Sequence, residues 1–273
     1  MLTSSASPRL PPFSEHPGHS KRIGLASIAN YHVESGLWGF LREVADNRAT
    51  RQTPLRILDI GCGRGELTAW LLTKGWDAWG VDVEAQYIAN GLPYFDRTGL
   101  PADRLRIIED NSLPFDTAFF DVVVSNQVLE HVADLSTFTA GIGRVSKHGA
   151  AGYHIYPGRR ILIEPHLRAP LVHWIPKGRA RRLAIMATIA TGASVDYFPG
   201  YSLRERTQIH AAYSEQNTFY RSRREIATTF AKAGMICEFR VRAPDELRGQ
   251  VRRFAAERSG LFGMTHLRTV VDS

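Results

Sequence analysis

Glycines with acidic residues on either side carry the clearest chemical signal in this chain. Gly61, Gly63 and Gly65 follow an apolar run that contains Asp59, and Asp82 comes about twenty residues later. Because glycine has no Cβ atom, such a loop can turn tightly and approach a ligand closely. A carboxylate at the position of Asp82 can accept hydrogen bonds from both hydroxyls of a ribose. The spacing therefore predicts a site for a nucleoside ligand.

These residues need a strand, a turn and a helix to position them. The apolar run 55–60 is typical of a strand buried on both faces. A helix is predicted from Glu66 to a stop at Gly75, where a left-handed cap is favoured. A second strand, 77–81, then leads directly to Asp82. The pattern indicates a strand–turn–helix–strand unit of an α/β protein.

Two other interpretations of the glycine loop were compared with this one. Dinucleotide-binding proteins use the fingerprint GxGxxG, whereas this loop reads GxGxG after an aspartate. Glycines between a strand and a helix can also be simple turn residues with no ligand. The acid at Asp82 favours a nucleoside site over a bare turn.

Four segments occur in the order found in class I methyltransferases that use S-adenosylmethionine (SAM). They are ILDIGCGRGE at 57–66, GVDV at 80–83, EDNSLPF at 109–115 and FDVVVSNQVLEHV at 120–132. The chain resembles the branch that contains ubiquinone- and menaquinone-biosynthesis enzymes and many small-molecule and sugar methyltransferases. The resemblance implies SAM as cofactor and an α/β fold, a Rossmann-like seven-stranded sheet with helices on both faces and an antiparallel last strand.

The resemblance also implies which residues contact the cofactor. Cys62, which taken alone could be a nucleophile, occupies a position that SAM enzymes commonly fill with a small residue. Each part of SAM has its implied contact residues. They are Asp59, Gly61, Cys62, Gly63 and Gly65 for the methionine part, Asp82 for the ribose, Val83, Asp110 and Asn111 for the adenine, and Asn126 and Gln127 for the region near the sulfonium.

A hydroxyl acceptor would need a base to remove its proton. His131 follows the fourth predicted strand and is the first candidate, with His154 and Tyr156 at the end of the fifth strand as the next. The alternative for His131 is structural, because the segment 129–132 is widespread in the family and often holds a helix start.

No metal site is predicted. Some ubiquinone-type relatives bind a divalent ion at the segment where Glu130 and His131 lie, but Gln127 stands where a carboxylate ligand is expected. An amide binds a cation less strongly than a charged oxygen does.

Composition is typical of a single large α/β domain with extensions. The 273 residues are 44% hydrophobic, and the formal net charge is +7. The sequence contains no recognisable RNA-binding module and no aromatic residues spaced for stacking on bases. The basic charge therefore does not predict a nucleic-acid substrate. Two cysteines and an N-terminus without an apolar signal sequence predict a reducing, cytoplasmic location.

The chain is predicted to begin with a Ser- and Pro-rich disordered tail over 1–20, followed by the methyltransferase domain over 21–273. A helix over 28–44 would precede the first strand, and in relatives such a helix helps to cover SAM. Tyr31 and His32 could lie over the cofactor or substrate, and the alternative is that they are ordinary packing or surface residues. Later elements are predicted as strands at 105–109, 120–125, 151–156, 236–241 and 267–271, with a helix at 222–233.

Regular alternation stops at about 157–218, which is interpreted as a substrate lid inserted after the fifth strand. Its sequence resembles an insertion of bacterial methyltransferases from polysaccharide and secondary-metabolite gene clusters, which suggests a glycan acceptor. Two alternatives for this segment stay open. Residues 171–193 could contact a membrane peripherally, and Glu164, His166 and His173 could bind a metal ion.

The sequence therefore predicts SAM-dependent methyl transfer to a small-molecule or glycan acceptor, with oxygen as the favoured atom. The alternatives are a methyltransferase that acts on RNA or protein, and a non-catalytic regulatory protein that binds SAM.

Overall fold

The computed structural model describes residues 31–47, 53–195, 197–242 and 264–272. Their contacts divide them into two compact units. The first, called the sheet unit, comprises the described residues of 31–160 and 219–272. The second, called the inserted unit, comprises those of 161–218, close to the predicted insertion. The predicted tail over 1–20 lies outside the described residues.

The sheet unit is built on seven strands in the spatial order β3-β2-β1-β4-β5-β9-β8. Strands β1 to β5 are parallel, and β9 runs antiparallel to both of its neighbours, β5 and β8. The predicted antiparallel last strand is thereby confirmed. The strands are β1 (Arg56–Ile60), β2 (Asp77–Asp82), β3 (Leu105–Ile107), β4 (Phe120–Asn126), β5 (Ser146–Pro157), β8 (Met235–Arg242) and β9 (Met264–Val271).

Both faces of the central strands are apolar, as their continuous hydrophobic sequences predict. Leu58 and Val123 point to one core, whereas Ile57 and Val122 point to the other. Helices cover both cores, so the predicted α/β sandwich is confirmed. The helices of this unit are α1 (Ser35–Asp46), α2 (Glu66–Thr73), α3 (Ala85–Thr98), α4 (Leu135–Val145) and α7 (Arg223–Lys232).

Two element boundaries differ from the prediction for identifiable reasons. The first helix begins at Ser35, because the Glu34 side chain accepts a hydrogen bond from the Leu37 backbone N–H and caps the helix there. The third strand ends at Ile107, because Asp110 and Asn111 both have positive φ and turn the chain.

The inserted unit has its own small core. A two-stranded hairpin, β6 (Ile163–Glu164) and β7 (Ala169–Pro170), precedes the helices α5 (Arg179–Ala190) and α6 (Leu203–Gln216). The core side chains include Leu167, Ile185 and Ile209. Among the helices of the described part of the chain, none is long and apolar enough to cross a membrane.

Candidate functional site

The glycine loop 61–65 joins β1 to α2 at the carboxyl edge of the parallel strands. Gly61, Gly63 and Gly65 have φ values of 72°, 57° and 82°, in the left-handed region that disfavours residues with a Cβ atom. Gly61 donates its backbone N–H to the Val81 carbonyl at 2.8 Å. The loop is thus anchored to the neighbouring strand, and its conformation requires glycine.

Neighbouring residues also leave no room for a side chain at Gly61 or at Gly65. A Cβ atom at Gly61 would lie 2.3 Å from Val128 Cγ2, and one at Gly65 would lie 2.6 Å from Leu105 Cδ2. Helix α3 approaches so closely at Gly91 that a Cβ atom there would lie 2.0 Å from the Arg64 carbonyl oxygen. This glycine belongs to the support of the loop, although no predicted motif contained it.

Asp82 ties the end of β2 to the glycine loop. Its Oδ2 accepts the backbone N–H of Gly63 at 2.8 Å, and its Oδ1 accepts that of Glu84 at 2.9 Å. Burial raises the pKa of Asp82, while the bonds from Glu84 and Gly63 oppose that rise. The next side chain, Val83, is 62% exposed and offers an apolar surface beside the carboxylate. A carboxylate next to an apolar contact is suited to a ribose and its purine.

Asp59 lies beneath the same loop and is almost fully buried. Burial raises its pKa to about 8, the charges of Asp82 and Glu66 act in the same direction, and a hydrogen bond from Thr68 opposes them. Thr68 Oγ1 donates to Asp59 Oδ2 at 3.3 Å. A cation bound beside these acids would favour the ionised carboxylate. The electrostatics therefore suit a positively charged ligand.

Tyr31 also belongs to this region. Its pKa is raised first by burial and then by the charges of Asp59 and Glu66, which places its phenol near these acids. It packs against the core that α1 and β1 share. The neighbouring His32, which was predicted with it, is exposed. Of the two, only Tyr31 is brought toward the glycine loop.

Asp110 and Asn111 form a tight turn after β3. Their φ values are 51° and 55°, and Ser112 donates its backbone N–H to the Glu109 carbonyl at 2.9 Å. This geometry corresponds to a type I′ turn, which Asp and Asn tolerate better than most residues. Both side chains are exposed. Since β3 pairs with β2, the turn follows the strand that adjoins Asp82.

Asn126 and Gln127 stand at the end of β4, next to the end of β1. Both are exposed, and Gln127 has a φ of 55° and donates its backbone N–H to the Ile155 carbonyl at 2.7 Å. The carboxyl ends of β1, β2 and β4 thus bring the predicted cofactor residues to one edge of the sheet.

His131 follows β4 in a turn that Arg221 holds in place. Arg221 Nη2 donates to the carbonyls of Val132 and Ala133, each at 2.7 Å. Phe219 donates its backbone N–H to the Glu130 carbonyl at 2.6 Å, on the other side of His131. His131 itself is half-buried. The backbone that carries the candidate base is therefore fixed by residues about ninety positions later in the chain.

Sequence reasoning missed Arg221, which is one of three arginines in the segment 221–224. The guanidinium also forms an ion pair with Glu225, with Nε 3.4 Å from Oε1, and the arginine side chain is only 11% exposed. Long-range hydrogen bonds to backbone carbonyls leave no local pattern, so no signal in the sequence would have singled out this residue.

His154 and Tyr156 lie in the core instead of at the exposed edge. The His154 ring is fully buried, its Nδ1 is 2.8 Å from Ser125 Oγ, and burial lowers its pKa to about 3. Tyr156 is 4% exposed, and burial raises its pKa above the usual range. The structure supports core packing for both side chains in place of the predicted catalytic role.

The inserted unit does not assemble the metal site that was weighed for it. Glu164 Oε1 is 2.7 Å from His166 Nδ1, and Glu164 Oε2 accepts the Leu167 backbone N–H at 2.6 Å. These bonds close the turn between β6 and β7. Within the described part of this unit, His173 does not join Glu164 and His166 in a group able to share an ion.

Comparison with known proteins finds similarity in the part of the chain that carries the glycine loop and Asp82. Residues 58–153 match the family model described as "Methyltransferase domain". Over 95 residues the chain is 37% identical to the ubiquinone biosynthesis O-methyltransferase of Maricaulis maris, covering 35% of this chain and 37% of that protein. Over 114 residues it is 37% identical to the enzyme of the same name from Azorhizobium caulinodans, covering 39% and 45%. The chain thus spans less than half the length of each of these two relatives.

Similarity to a solved structure extends over more of the chain. An S-adenosylmethionine-dependent methyltransferase from Mesorhizobium loti aligns with a TM-score of 0.52 and 15% identity, covering 90% of this chain and 100% of that one. At this identity the similarity shows a common fold.

Proposed function

We propose that this chain, a member of the class I SAM-dependent methyltransferases, transfers the methyl group of SAM to an oxygen atom of a small molecule. The observation that carries the proposal is the joint placement of the glycine loop, Asp59 and Asp82 at one edge of the sheet. Names of the relatives, which are O-methyltransferases, support oxygen as the acceptor atom. A glycan acceptor and a cytoplasmic location belong to the proposal as well.

The residues at this edge fit SAM. When bound, SAM supplies a methyl group on a positively charged sulfur that an acceptor atom can attack. The loop from Gly61 to Gly65 would hold the methionine part at Gly63, where a Cβ atom would have only Glu66 Oε2 nearby, at 3.9 Å, so the backbone is open to a ligand. Asp82 binds the ribose hydroxyls, and the exposed Val83 packs on the adenine. Asp59, buried beneath the loop, would release its proton and become negatively charged when the sulfonium cation is bound beside it.

His131 accepts the proton of the acceptor hydroxyl in this proposal. The histidine follows the end of β4 at the carboxyl edge, where the exposed Asn126 and Gln127 also lie. General-base catalysis of this kind contributes about 10²- to 10⁴-fold to a rate. Arg221 acts as a positioning residue, since it binds the carbonyls that follow His131.

Labelled methyl transfer to fractionated metabolites tests the function directly. We expect S-adenosylhomocysteine to form only when a small-molecule fraction is present. His131→Gln should keep its affinity for S-adenosylhomocysteine and lose at least about a hundredfold in turnover. His148→Gln, which changes an exposed histidine in β5, is the matched control and should behave as wild type. Equal turnover in both variants would remove His131 from the mechanism.

Arg221→Lys tests the positioning role. Lysine keeps the charge but lacks the planar guanidinium that donates to several carbonyls at once. The turn that carries His131 should then be held less firmly, so kcat should fall while the KM for SAM stays unchanged. Arg224→Lys, at an exposed position in the first turn of the helix that follows Arg221, is the control. A change in SAM affinity without a change in kcat would contradict the positioning role.

A further inference from the structure

We infer that the outer face of α5, together with Trp174, is a docking surface for anionic lipid. This surface, called the docking face, comprises Trp174, Arg179, Arg182, Leu183 and Met186. The inference goes beyond the proposed function and does not depend on it, because it concerns a surface of the inserted unit alone.

The helix α5 departs from the pattern of an ordinary surface helix on both of its faces. Its inner face buries Arg181 along with Ile185 and Ile189. On its outer face, Leu183 is 61% exposed and Met186 is 37% exposed. A surface helix normally turns its charged residues outward and its apolar residues inward. Exposed apolar residues on one helical face indicate an interaction surface.

Charged side chains in the segment that contains this face have a single sign. From 165 to 195 the sequence contains no aspartate or glutamate and five cationic residues. They are Arg168, Lys177, Arg179, Arg181 and Arg182. Arg181 is buried, whereas Arg179 and Arg182 are exposed in the first turn of α5. A helix face with apolar residues and adjoining arginines is typical of a segment that lies in the interface of an anionic membrane.

Buried Arg181 also fixes an exposed tryptophan beside this helix. Its Nε donates to the Ile175 carbonyl at 2.7 Å, and its Nη2 donates to the His173 carbonyl at 3.3 Å. These carbonyls flank Trp174, whose side chain is 44% exposed. Tryptophan is enriched at the boundary between lipid and water. The arginine on the inner face therefore holds an interfacial anchor in place.

Helix dimensions favour peripheral contact over insertion. The helix α5 has 12 residues, whereas about twenty are needed to cross the hydrocarbon core. Cationic residues near an anionic surface add affinity that salt screens. The absence of acidic residues from the whole segment argues for a lipid surface over a second copy of this face, because two such faces would repel each other.

Vesicle flotation of the full chain tests the docking face. We expect wild type to float with vesicles of phosphatidylglycerol and phosphatidylcholine at low salt, and to stay unbound with phosphatidylcholine alone. Leu183→Asp should abolish flotation, and Arg182→Ala should weaken it about fivefold. The control is Ile236→Asp, because Ile236 is also 61% exposed but lies on β8 of the sheet unit. Circular dichroism and the urea unfolding midpoint of each variant verify that it is folded.

Several outcomes would overturn the inference. One is that the folded wild type does not float with anionic vesicles. Another is that Leu183→Asp and Ile236→Asp lose flotation to the same extent. A third is self-association, seen as a dimer by light scattering without lipid, that Leu183→Asp dissociates while flotation is absent. In contrast, a blue shift of Trp174 fluorescence on anionic vesicles, lost in Trp174→Phe, would support the inference.

Discussion

The sheet unit and the inserted unit use their buried charged residues in different ways. In the sheet unit, Asp59 and Asp82 lie at the carboxyl edge, where the backbone turns through glycines. In the inserted unit, Glu164 and Arg181 are equally buried, but they hold a hairpin turn and the segment before α5 in place. In the proposed function the buried acids of the first unit serve a ligand, whereas the buried charged residues of the second stabilise its own fold.

This difference indicates where each unit carries out its function. The sheet unit places its chemistry inside, at the ends of strands whose neighbours are fixed by pairing. The inserted unit places its interaction residues outside, on the exposed face of α5. Changes to buried charges should therefore alter cofactor affinity in the first unit and only stability in the second.

The largest expected effect is the pH dependence that Asp59 confers on stability. Burial raises its folded-state pKa from 3.8 to about 8. Between these values the folded protein holds a proton that the unfolded chain has released, so the free energy of unfolding falls as pH rises. The slope contributed by one proton is at most about 1.4 kcal/mol per pH unit. Asp59→Asn should flatten the decline from pH 5 to pH 8 in urea unfolding without ligand.

Asp103→Asn serves as the control for Asp59, because Asp103 is exposed. Parallel stability curves for wild type and Asp59→Asn would contradict the assigned burial of a neutral carboxyl. SAM should reverse part of the effect, since a cation beside Asp59 favours the ionised form. Its binding near pH 7 should then release protons, which titration calorimetry in two buffers of different ionisation enthalpy would measure.

The next largest effect is expected for Asp82→Ala. Hydrogen bonds to a charged group contribute about 1.5–3 kcal/mol each, so affinity for SAM should fall about a hundredfold. Asp77→Ala, at the opposite end of β2, is the matched control. Asp77 pairs with Arg56, with its Oδ2 3.4 Å from Nε, and also with Arg104. Equal losses of affinity in both variants would show that the strand, and not the carboxylate, determines binding.

A smaller effect is expected for Gly91→Ala in α3. The new Cβ atom would lie 2.0 Å from the Arg64 carbonyl oxygen, so the helix must move away from the glycine loop. Overpacking of this kind costs about 1–3 kcal/mol. Gly39→Ala in α1, where nothing lies within 4 Å, should instead stabilise by about 0.5–1 kcal/mol. Urea unfolding distinguishes them, and a neutral Gly91→Ala would contradict the close approach.

Glu164→Gln in the inserted unit should have the smallest effect. The amide can replace only part of the hydrogen bonding to His166 and Leu167, so stability should fall by about 1–2 kcal/mol. Affinity for SAM should not change, which differs from the result expected at Asp82. Loss of SAM affinity in this variant would break the contrast between the two units.

The sequence-based predictions were most successful where the backbone conformation or the burial of a strand restricts which residue types can occur. Gly61 and Gly65 are recognisable because their conformations exclude side chains, and the strands β1 and β4 because both of their faces are buried. The order of these elements along the chain brings the residues predicted for the cofactor to one edge of the sheet, and their contact with a cofactor stays a prediction.

Side-chain contacts between distant segments could not be predicted in the same way. His154 reads as a polar residue at a strand end, yet it is paired with Ser125 inside the core. Arg221 is joined to the turn after His131 by hydrogen bonds that no local pattern encodes. In α5, the burial of Arg181 depends on carbonyls of the preceding segment, so the sequence could suggest membrane contact over 171–193 but could not show which face of the helix is exposed.

Isothermal titration of the purified protein with SAM, S-adenosylhomocysteine and NADH tests the central claim most directly. We expect micromolar binding of SAM and of S-adenosylhomocysteine, and no heat of binding with NADH, because the loop lacks the dinucleotide spacing. Binding of NADH alone would contradict the assignment of this edge of the sheet to SAM.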